Sequence, residues 1–305
     1  MTPASPADLP IRPLSPYDLP ACLDLATARG WTREEHKWRL LLTAGQGYGI
    51  DAPDRPHALI GAFVLTPYGS TDPAAPGGGT AYTSVGMVLV AERFQRRGLG
   101  LRLMEHALAA SGDAVPFLTA TPQGRPLYEK LGFKPVGRLG ILTGHFTPPP
   151  GAAAPGGARV GAATVRPATA ADLRDVLALD AQAFGADRTE LLARLPAFAD
   201  RFVVAEDGTG TVSGFAAAWP NEDVTVLGPV VARDLPTAQA LITDLGTHTT
   251  GPVRYDVDAH HSALVDWLRE RGLDGAFPCT QMVHTASDLP GDLDRRFAPY
   301  SVALG

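Results

Sequence analysis

Cysteine is almost missing from this sequence: Cys22 and Cys279 are the only two in 305 residues, in different halves and in no Cys-x-x-Cys arrangement. A disulfide scaffold and a zinc ribbon are thereby excluded, and a reducing cytoplasm is the expected compartment. Long apolar runs are missing too. The longest, such as Ala58–Leu65, are strand-length and far short of the ~20 residues that span a bilayer. The opening, MTPASPADLP, has neither the basic stretch nor the apolar core of a signal peptide, so no membrane association is expected. There is no Gly-Lys-Ser/Thr phosphate loop, no complete Gly-x-Gly-x-x-Gly fingerprint and no Ser/His/Asp set with a nucleophile elbow.

Excess positive charge is also lacking. The net charge of −6 is unevenly spread: residues 1–150 carry 14 basic against 12 acidic side chains, and residues 151–305 carry 12 against 20. Nucleic acid, whose binding is dominated by phosphate neutralisation, is not an expected partner. The acidic half suits a cationic small molecule or protein segment, or serves solubility alone.

What is present is enough material for two domains, 45% hydrophobic and 19% charged. The clearest composition break is TPPPGAAAPGGAR, Thr147–Arg159, which reads as a semi-rigid tether. One phrase stands on either side of it. IRPLSPYDLPACLDLA begins at Ile11 and VRPATAADLRDVLALDAQAF at Val165. Each has an apolar residue, Arg-Pro, an N-cap candidate (Ser15, Thr169), an aspartate three residues on (Asp18, Asp172) and helix-spaced leucines. Two such openings, each heading about 145 residues, predict a tandem repeat of one fold.

In the first unit the patterns predict a helix around WTREEHKWRLLL and strands at HALIGAFVLTPYG and AYTSVGMVLV, joined by the tip STDPAAPGGG. A further helix, a strand at PFLTA, a short helix at RPLYEKL and a strand near FKPVGRLGILT follow. The second unit predicts helices at LRDVLALDAQAF, RTELLARL, TAQALITDLG and ALVDWLRERGL. Its strands are RFVVAEDG, VSGFAAAW, VTVLGPVVA, VRYDVD and CTQMVHT. The pattern is a mixed α/β one.

The chemistry concentrates in VGMVLVAERFQRRGLGLRLMEHAL, residues 85–108, where an apolar strand passes through arginines and glycines into a helix. The first N–H groups of a helix lack internal partners and carry partial positive charge. Gly98 and Gly100 let a ligand approach the backbone, and Arg96 and Arg97 add full charge. Such a turn suits phosphate oxygens.

This stretch, Gln95-Arg96-Arg97-Gly98-Leu99-Gly100, resembles the Q/R-x-x-G-x-G/A loop of the GNAT N-acetyltransferases. MVLV before it resembles their central strand, and RPLYEKLGF, Arg125–Phe133, their downstream tyrosine helix and its Leu-Gly-Phe end. The resemblance spans most of residues 8–146. It implies an α/β (α+β) fold in which each half is a central mixed, mostly antiparallel sheet flanked by helices. It further implies that acetyl-CoA lays its pantetheine arm along Val88, Leu89 and Val90 and its pyrophosphate on the amides of Arg96 to Leu101, beside Gln95. A backbone N–H near Val88 would hold the oxyanion, and Tyr128 would protonate the departing sulfur. Thr121 stands where many relatives carry a cofactor-contacting asparagine. No metal is implied.

The general base is not visible. Thr83 and Ser84 are the only polar residues on the central strand, Glu34 and Glu35 are candidates through a water, and solvent is the alternative. DVDAHH, residues 256–261, has metal-ligand residue types but reads as a polar loop after a strand.

The second half resembles the YitH/HolE-type C-terminal acetyltransferase domain. The match rests on Gly228-Pro229-Val230-Val231-Ala232, on Asp187-Arg188 with Leu191, and on Gln281-Met282, where arginine is more usual before the methionine. VLGPVVARDLPTAQALITDL lacks Gly-x-Gly and offers a single Arg233, offset by Asp234. Three roles stay open for this half: a degenerate structural partner, a substrate-gripping module, or a second transferase.

The expected division is residues 1–147 as an acetyl-CoA-binding domain, 148–160 as linker, and 161–305 as a second domain degenerate in CoA binding. The expected function is acetyl transfer from acetyl-CoA to a primary amine of a small molecule or peptide by direct attack. The competing reading is a non-catalytic acyl-CoA sensor or partner-binding protein. Acceptor identity and oligomeric state do not follow from the letters.

Overall fold

The computed structural model describes residues 9–72, 74, 79–151, 159–160 and 163–305. The repeated opening phrase folds identically twice. Ser15 and Thr169 share the same extended backbone (φ −118°, ψ 171° and φ −119°, ψ 171°), and each closes a capping box with Asp18 or Asp172. The arginine of each Arg-Pro then ties this corner to the sheet: Arg12 donates to Asp18 and Asp51, Arg166 to Asp172 and Glu206. Its hydrogen bonds, led by Arg166, hold the Asp172 carboxyl well below the ordinary carboxylate range.

The first half runs β1 (Arg12–Leu14), α1 (Leu19–Ala28), α2 (Glu35–Ala44), β2 (Gln46–Asp51), β3 (Leu59–Tyr68), β4 (Tyr82–Val90), α3 (Leu99–Ser111), β5 (Val115–Ala120), α4 (Arg125–Lys130) and β6 (Lys134–Gly144). The second runs β7 (Arg159–Val160), β8 (Ala163–Pro167), α5 (Leu173–Phe184), α6 (Thr189–Leu192), α7 (Leu195–Phe198), β9 (Arg201–Glu206), β10 (Val212–Asn221), β11 (Val224–Ala232), α8 (Leu235–Thr247), β12 (Val253–Asp258), α9 (Ser262–Glu270), β13 (Leu273–Val283) and β14 (Arg296–Ala298). Helices and strands fall where periodicity places them. Several elements lie outside the expectation: β1, β2 (whose glycines weaken the alternation), β7, β8, α7 and β14, while β13 starts six residues before CTQMVHT. Of the expected linker, residues 152–158 lie outside the described residues, and Arg159–Val160 already form β7. The tip STDPAAPGGG is likewise only partly within them.

The strands form one mixed, mostly antiparallel sheet rather than two: β1-β2-β3-β4-β5-β13-β6-β12-β11-β10-β9-β8-β7, with β14 on β11. At its centre the halves exchange their last long strands. β13 of the second half inserts between β5 and β6, with Thr280 opposite Ala120 and Val283 opposite Phe117. Reciprocally, β6 of the first half pairs with β12, from Val253 opposite Gly144 to Asp258 opposite Leu139.

One face of the sheet carries α3 and α4 over Val85, Leu118 and Met282, with α8 and α9 over the other half. The opposite face gathers α1, α2, α5, α6 and α7 into a single core that crosses the halves, with Trp38, Trp219, Phe184, Phe215 and Tyr300 each at most 1% exposed.

Residues 1–151 expressed alone are therefore expected not to yield a folded monomer, because β5 and β6 lose the strand that joins them and expose ladder edges. Co-expression with residues 152–305 restores a soluble complex. Size-exclusion chromatography and circular dichroism check this; a folded monomeric first half contradicts the exchange.

Candidate active site

Two features of β4 build the first half of the site. The parallel strands β4 and β5 pair only from Tyr82–Ser84 to Val115–Phe117 and then part. Along β3, Ala62 faces Leu89 and Val64 faces Gly86, so Met87 and Val88 together stand opposite Phe63. This is a β-bulge, and Met87 takes a left-handed φ of 55° to make it. The bulge shifts the alternation: Met87 and Leu89 enter the core shared with α1 and α2, while Val88 and Val90 lie toward α3. Sequence reasoning named Val88 without seeing this device, for which Gly86, isolated within the strand pattern, was the local signal.

The turn from β4 to α3 is held by aromatic packing and left free of caps. Phe94 is buried at 7% exposure, and the guanidinium groups of Arg93 and Arg97 lie 4.6 and 5.5 Å from its ring centroid. Arg96 and Gly98 take left-handed φ values of 57° and 80°. Gly98 is the N-cap of α3 and no side chain caps that end, so the first amides face outward beside exposed Arg96 and Arg97. Leu99, 1% exposed, anchors the helix, whereas Leu101 is 41% exposed. A Cβ on Gly98 would meet nothing within 4 Å, so there is open room for a ligand at the amides. Gln95 is half-buried at the same turn.

Tyr128 sits on α4, 8% exposed, its ring 6.0 Å from that of Phe133. Burial pushes its phenol up to about 12. A Cβ on Gly124 would stand 3.2 Å from the Tyr128 hydroxyl oxygen, so glycine there lets the ring take its position. Among the described residues that hydroxyl has no hydrogen-bond partner. Thr121 accepts from the Gly124 N–H at 3.3 Å and so shapes the approach to α4.

The two candidate carboxylates differ in exposure. Glu34 is 5% exposed and bonded to Lys37, to the Asn221 amide at 2.9 Å and, at 3.7 Å, to Arg254. Burial alone would raise its carboxyl, but Lys37, Asn221 and Arg254 more than offset this and hold it below the ordinary value. It ties α2 to the second half. Glu35 is exposed and pairs with Arg39. Thr83 and Ser84 are buried.

The second half repeats the frame with its openings filled. β11 and β12 pair only at Thr225–Val226 and Val253–Arg254, and β14 then pairs with β11 at Val230 and Val231. The Tyr255 hydroxyl donates to the Phe297 carbonyl at 3.1 Å, closing the same gap from β12. The bulge recurs, Gly228–Pro229 standing opposite Ala217, but Pro229 has no N–H and the Gly228 carbonyl accepts from the Trp219 indole at 3.0 Å. At the start of α8 the Asp234 carboxylate accepts from the Thr237 N–H at 2.9 Å, and Arg233 pairs with Asp234 and Asp207. An anion is already built into that helix end.

Sequence reasoning missed the closing segment, residues 296–305. After β14 it crosses to the first half, where the Ser84 hydroxyl donates to the Ala303 carbonyl at 2.9 Å and the Tyr68 hydroxyl to the Leu304 carbonyl at 2.6 Å. Arg188, from the Asp187-Arg188 motif, pairs with Asp180 in the core and donates to the Gly305 oxygen at 2.7 Å. The apolar spacing of Phe297, Tyr300 and Leu304 was the available signal. Gln281 faces Thr119 across β13 and β5. In DVDAHH, Asp256 pairs with Arg254, His260 with Asp294, and His261 bonds the Leu293 and Arg296 carbonyls.

Two models described as an acetyltransferase (GNAT) domain match the chain, one over residues 57–135 and one over residues 176–298. The uncharacterized N-acetyltransferase YitH of Bacillus subtilis is 30% identical over 191 residues, covering 62% of this chain and 65% of that protein. The chain thus matches just under two thirds of that relative's length. In fold, a putative acetyltransferase from Pyrococcus horikoshii superposes with a TM-score of 0.75 at 18% identity, covering 97% of this chain and 96% of the other. A tandem GNAT protein from the clavulanic acid biosynthesis pathway gives 0.62 at 14% identity, covering 92% and 100%. No helix among the described residues is long and apolar enough to cross a membrane. The chain belongs to the GNAT acetyltransferases and carries two of their domains in tandem.

Proposed function

We propose that the chain is an acetyl-CoA-dependent N-acetyltransferase whose first half alone binds the donor. The observation that carries this reading is the contrast between the halves at equivalent positions. In the first, a bulge at Met87–Val88 and an arginine-flanked helix end with no side-chain cap lie where β4 and β5 part. In the second, a proline, the chain's own β14 and the Asp234 carboxylate stand at those points.

In this reading the diphosphate lies on the amides of Arg96 to Leu101, with Gln95 and Thr121 at the rim, and the pantetheine arm follows Val88, Leu89 and Val90. The Val88 N–H stabilises charge on the acyl oxygen. The neutral amine of a small molecule or peptide attacks the thioester carbonyl, a carbon–nitrogen bond forms and the carbon–sulfur bond breaks. Tyr128 gives its proton to the leaving thiolate, and the attacking nitrogen loses one to solvent. Burial keeps the phenol in the donor form this step needs. The second half supplies β13, the acceptor-side wall and no donor site; it takes in β7 at Arg159–Val160, ahead of the expected start at residue 161.

A thiol-release assay over amines and peptide N-termini tests the activity. Turnover of acetyl-CoA with an amine is the expected result. Tight donor binding with no acceptor turned over supports the sensor reading instead.

A further inference from the structure

The end of α1 sends one arginine to the turn that precedes α3. Arg29 closes α1, and a tight corner fixes its backbone. The Gly30 N–H donates to the Thr27 carbonyl at 2.9 Å and the Trp31 N–H to the Ala26 carbonyl at 3.1 Å, with Gly30 at a left-handed φ of 74°. From this corner the half-buried Arg29 side chain reaches two glutamines. Its Nη2 donates to the Gln123 side-chain oxygen at 3.1 Å. With the Gln95 amide turned so that its oxygen faces the guanidinium, Gln95 accepts from Nη2 at 2.7 Å and from Nη1 at 3.0 Å.

The two glutamines stand beyond the ends of two different strands. Gln95 follows β4 and opens the arginine–glycine turn, whereas Gln123 follows β5, in the turn from Thr121 to Gly124 that leads into α4 and Tyr128. β4 and β5 pair only as far as Ser84 and Phe117, so one guanidinium links the segments that leave the parted strands. Both of its partners are neutral. Arg33 pairs with Asp24 and Arg93 with Asp54, but among the described residues no carboxylate pairs with Arg29, Arg96 or Arg97. Arg29 thus adds, from another element, a third uncompensated charge to a turn that already carries two. A guanidinium fork bonds phosphate oxygens more strongly than neutral amide oxygens, and in two-point geometry. A diphosphate on the amides of Arg96 to Leu101 would therefore displace the glutamines as its partner.

We propose that Arg29 is a further binding residue for acetyl-CoA, exchanging Gln95 and Gln123 for a two-point contact with the diphosphate. This rests on the donor-site reading and adds to it a ligand that lies outside the local motif.

The test is calorimetric titration of the full chain with acetyl-CoA and with its 3′-dephospho form. Arg29→Met is expected to weaken both at least ~10-fold, the scale of one charged hydrogen-bonded contact. Arg29→Lys, which keeps the charge and loses the fork, is expected to recover part of that loss. Gln123→Leu, which removes a competing partner and no phosphate contact, is expected to bind both at least as tightly as the unmodified chain. A thermal melt of each sample shows that the fold is kept. Unchanged affinity in Arg29→Met, or a loss confined to the 3′-phosphorylated form, overturns the inference. An equal loss in Gln123→Leu overturns it too, because Arg29 would then serve only as a tie between the two turns. Failure of the unmodified chain to bind acetyl-CoA would instead overturn the donor-site reading, so the two failures are distinguishable.

Discussion

Glutamate at positions 98 and 100 is expected to weaken acetyl-CoA binding more than about 100-fold while the chain stays folded. Several charge-assisted hydrogen bonds to phosphate, each contributing roughly 1.5–3 kcal/mol, would be replaced by carboxylates aimed at the same amides. The structural cost is small by comparison. At Gly98 the added Cβ meets nothing, but φ of 80° costs a non-glycine residue about 1–2 kcal/mol. At Gly100 the nearest neighbour, 3.3 Å away, is the flexible end of Leu127. A thermal melt of the same sample separates the two effects. Calorimetry showing undiminished affinity in a folded Gly98→Glu/Gly100→Glu chain contradicts the phosphate assignment.

Tyr128→Phe is expected to lower kcat by about 100-fold, the lower range for general acid–base catalysis, with the dissociation constant for acetyl-CoA changed less than about twofold. The phenol contributes its proton only while protonated. Burial raises it to about 12, so the donor form persists across the whole working pH range and is lost only as pH climbs toward that value. The pH profile of the parent chain should therefore rise with deprotonation of the acceptor amine and show no fall from Tyr128 below about pH 10. In the phenylalanine variant the same rising limb remains at reduced height. Unchanged turnover sinks the general-acid role; a parallel loss of donor affinity makes the ring a packing residue.

Much of this architecture was legible because it is local. The capping boxes at Ser15 and Thr169, the helix periodicities and the β4-to-α3 turn each depend on residues a few positions apart. The Arg-Pro phrase, read twice, announced the repeat, and Arg12 and Arg166 indeed make matching ties to Asp18 and Asp172. The exchange of β6 and β13 was not legible. An apolar alternating strand such as FKPVGRLGILT declares that it will pair but not with which edge, and both partners here come from more than 100 residues away. The bulge at Met87 depends on register across β3, which periodicity within β4 cannot show.

The site was split in the same way. The role proposed for Gln95 to Leu101 rests on their own backbone amides, a few positions apart, so it could be put forward from the residues alone. Glu34 was readable only as a candidate base through a water because its partners Asn221 and Arg254 are distant in sequence. The closing segment was overlooked for the same reason: Ala303 and Leu304 draw no notice until folding brings their carbonyls to Ser84 and Tyr68. Asp234, read as an offset to Arg233, gains its meaning from geometry, since its carboxylate already occupies the helix end that stands open in the first half.

The most direct measurement is a calorimetric titration of the full chain with acetyl-CoA. One equivalent bound per chain, abolished when Gly98 and Gly100 are both replaced by glutamate, is the outcome expected of a single donor cleft. Two equivalents, or one that persists in the doubly substituted chain, would mean that the donor is held elsewhere.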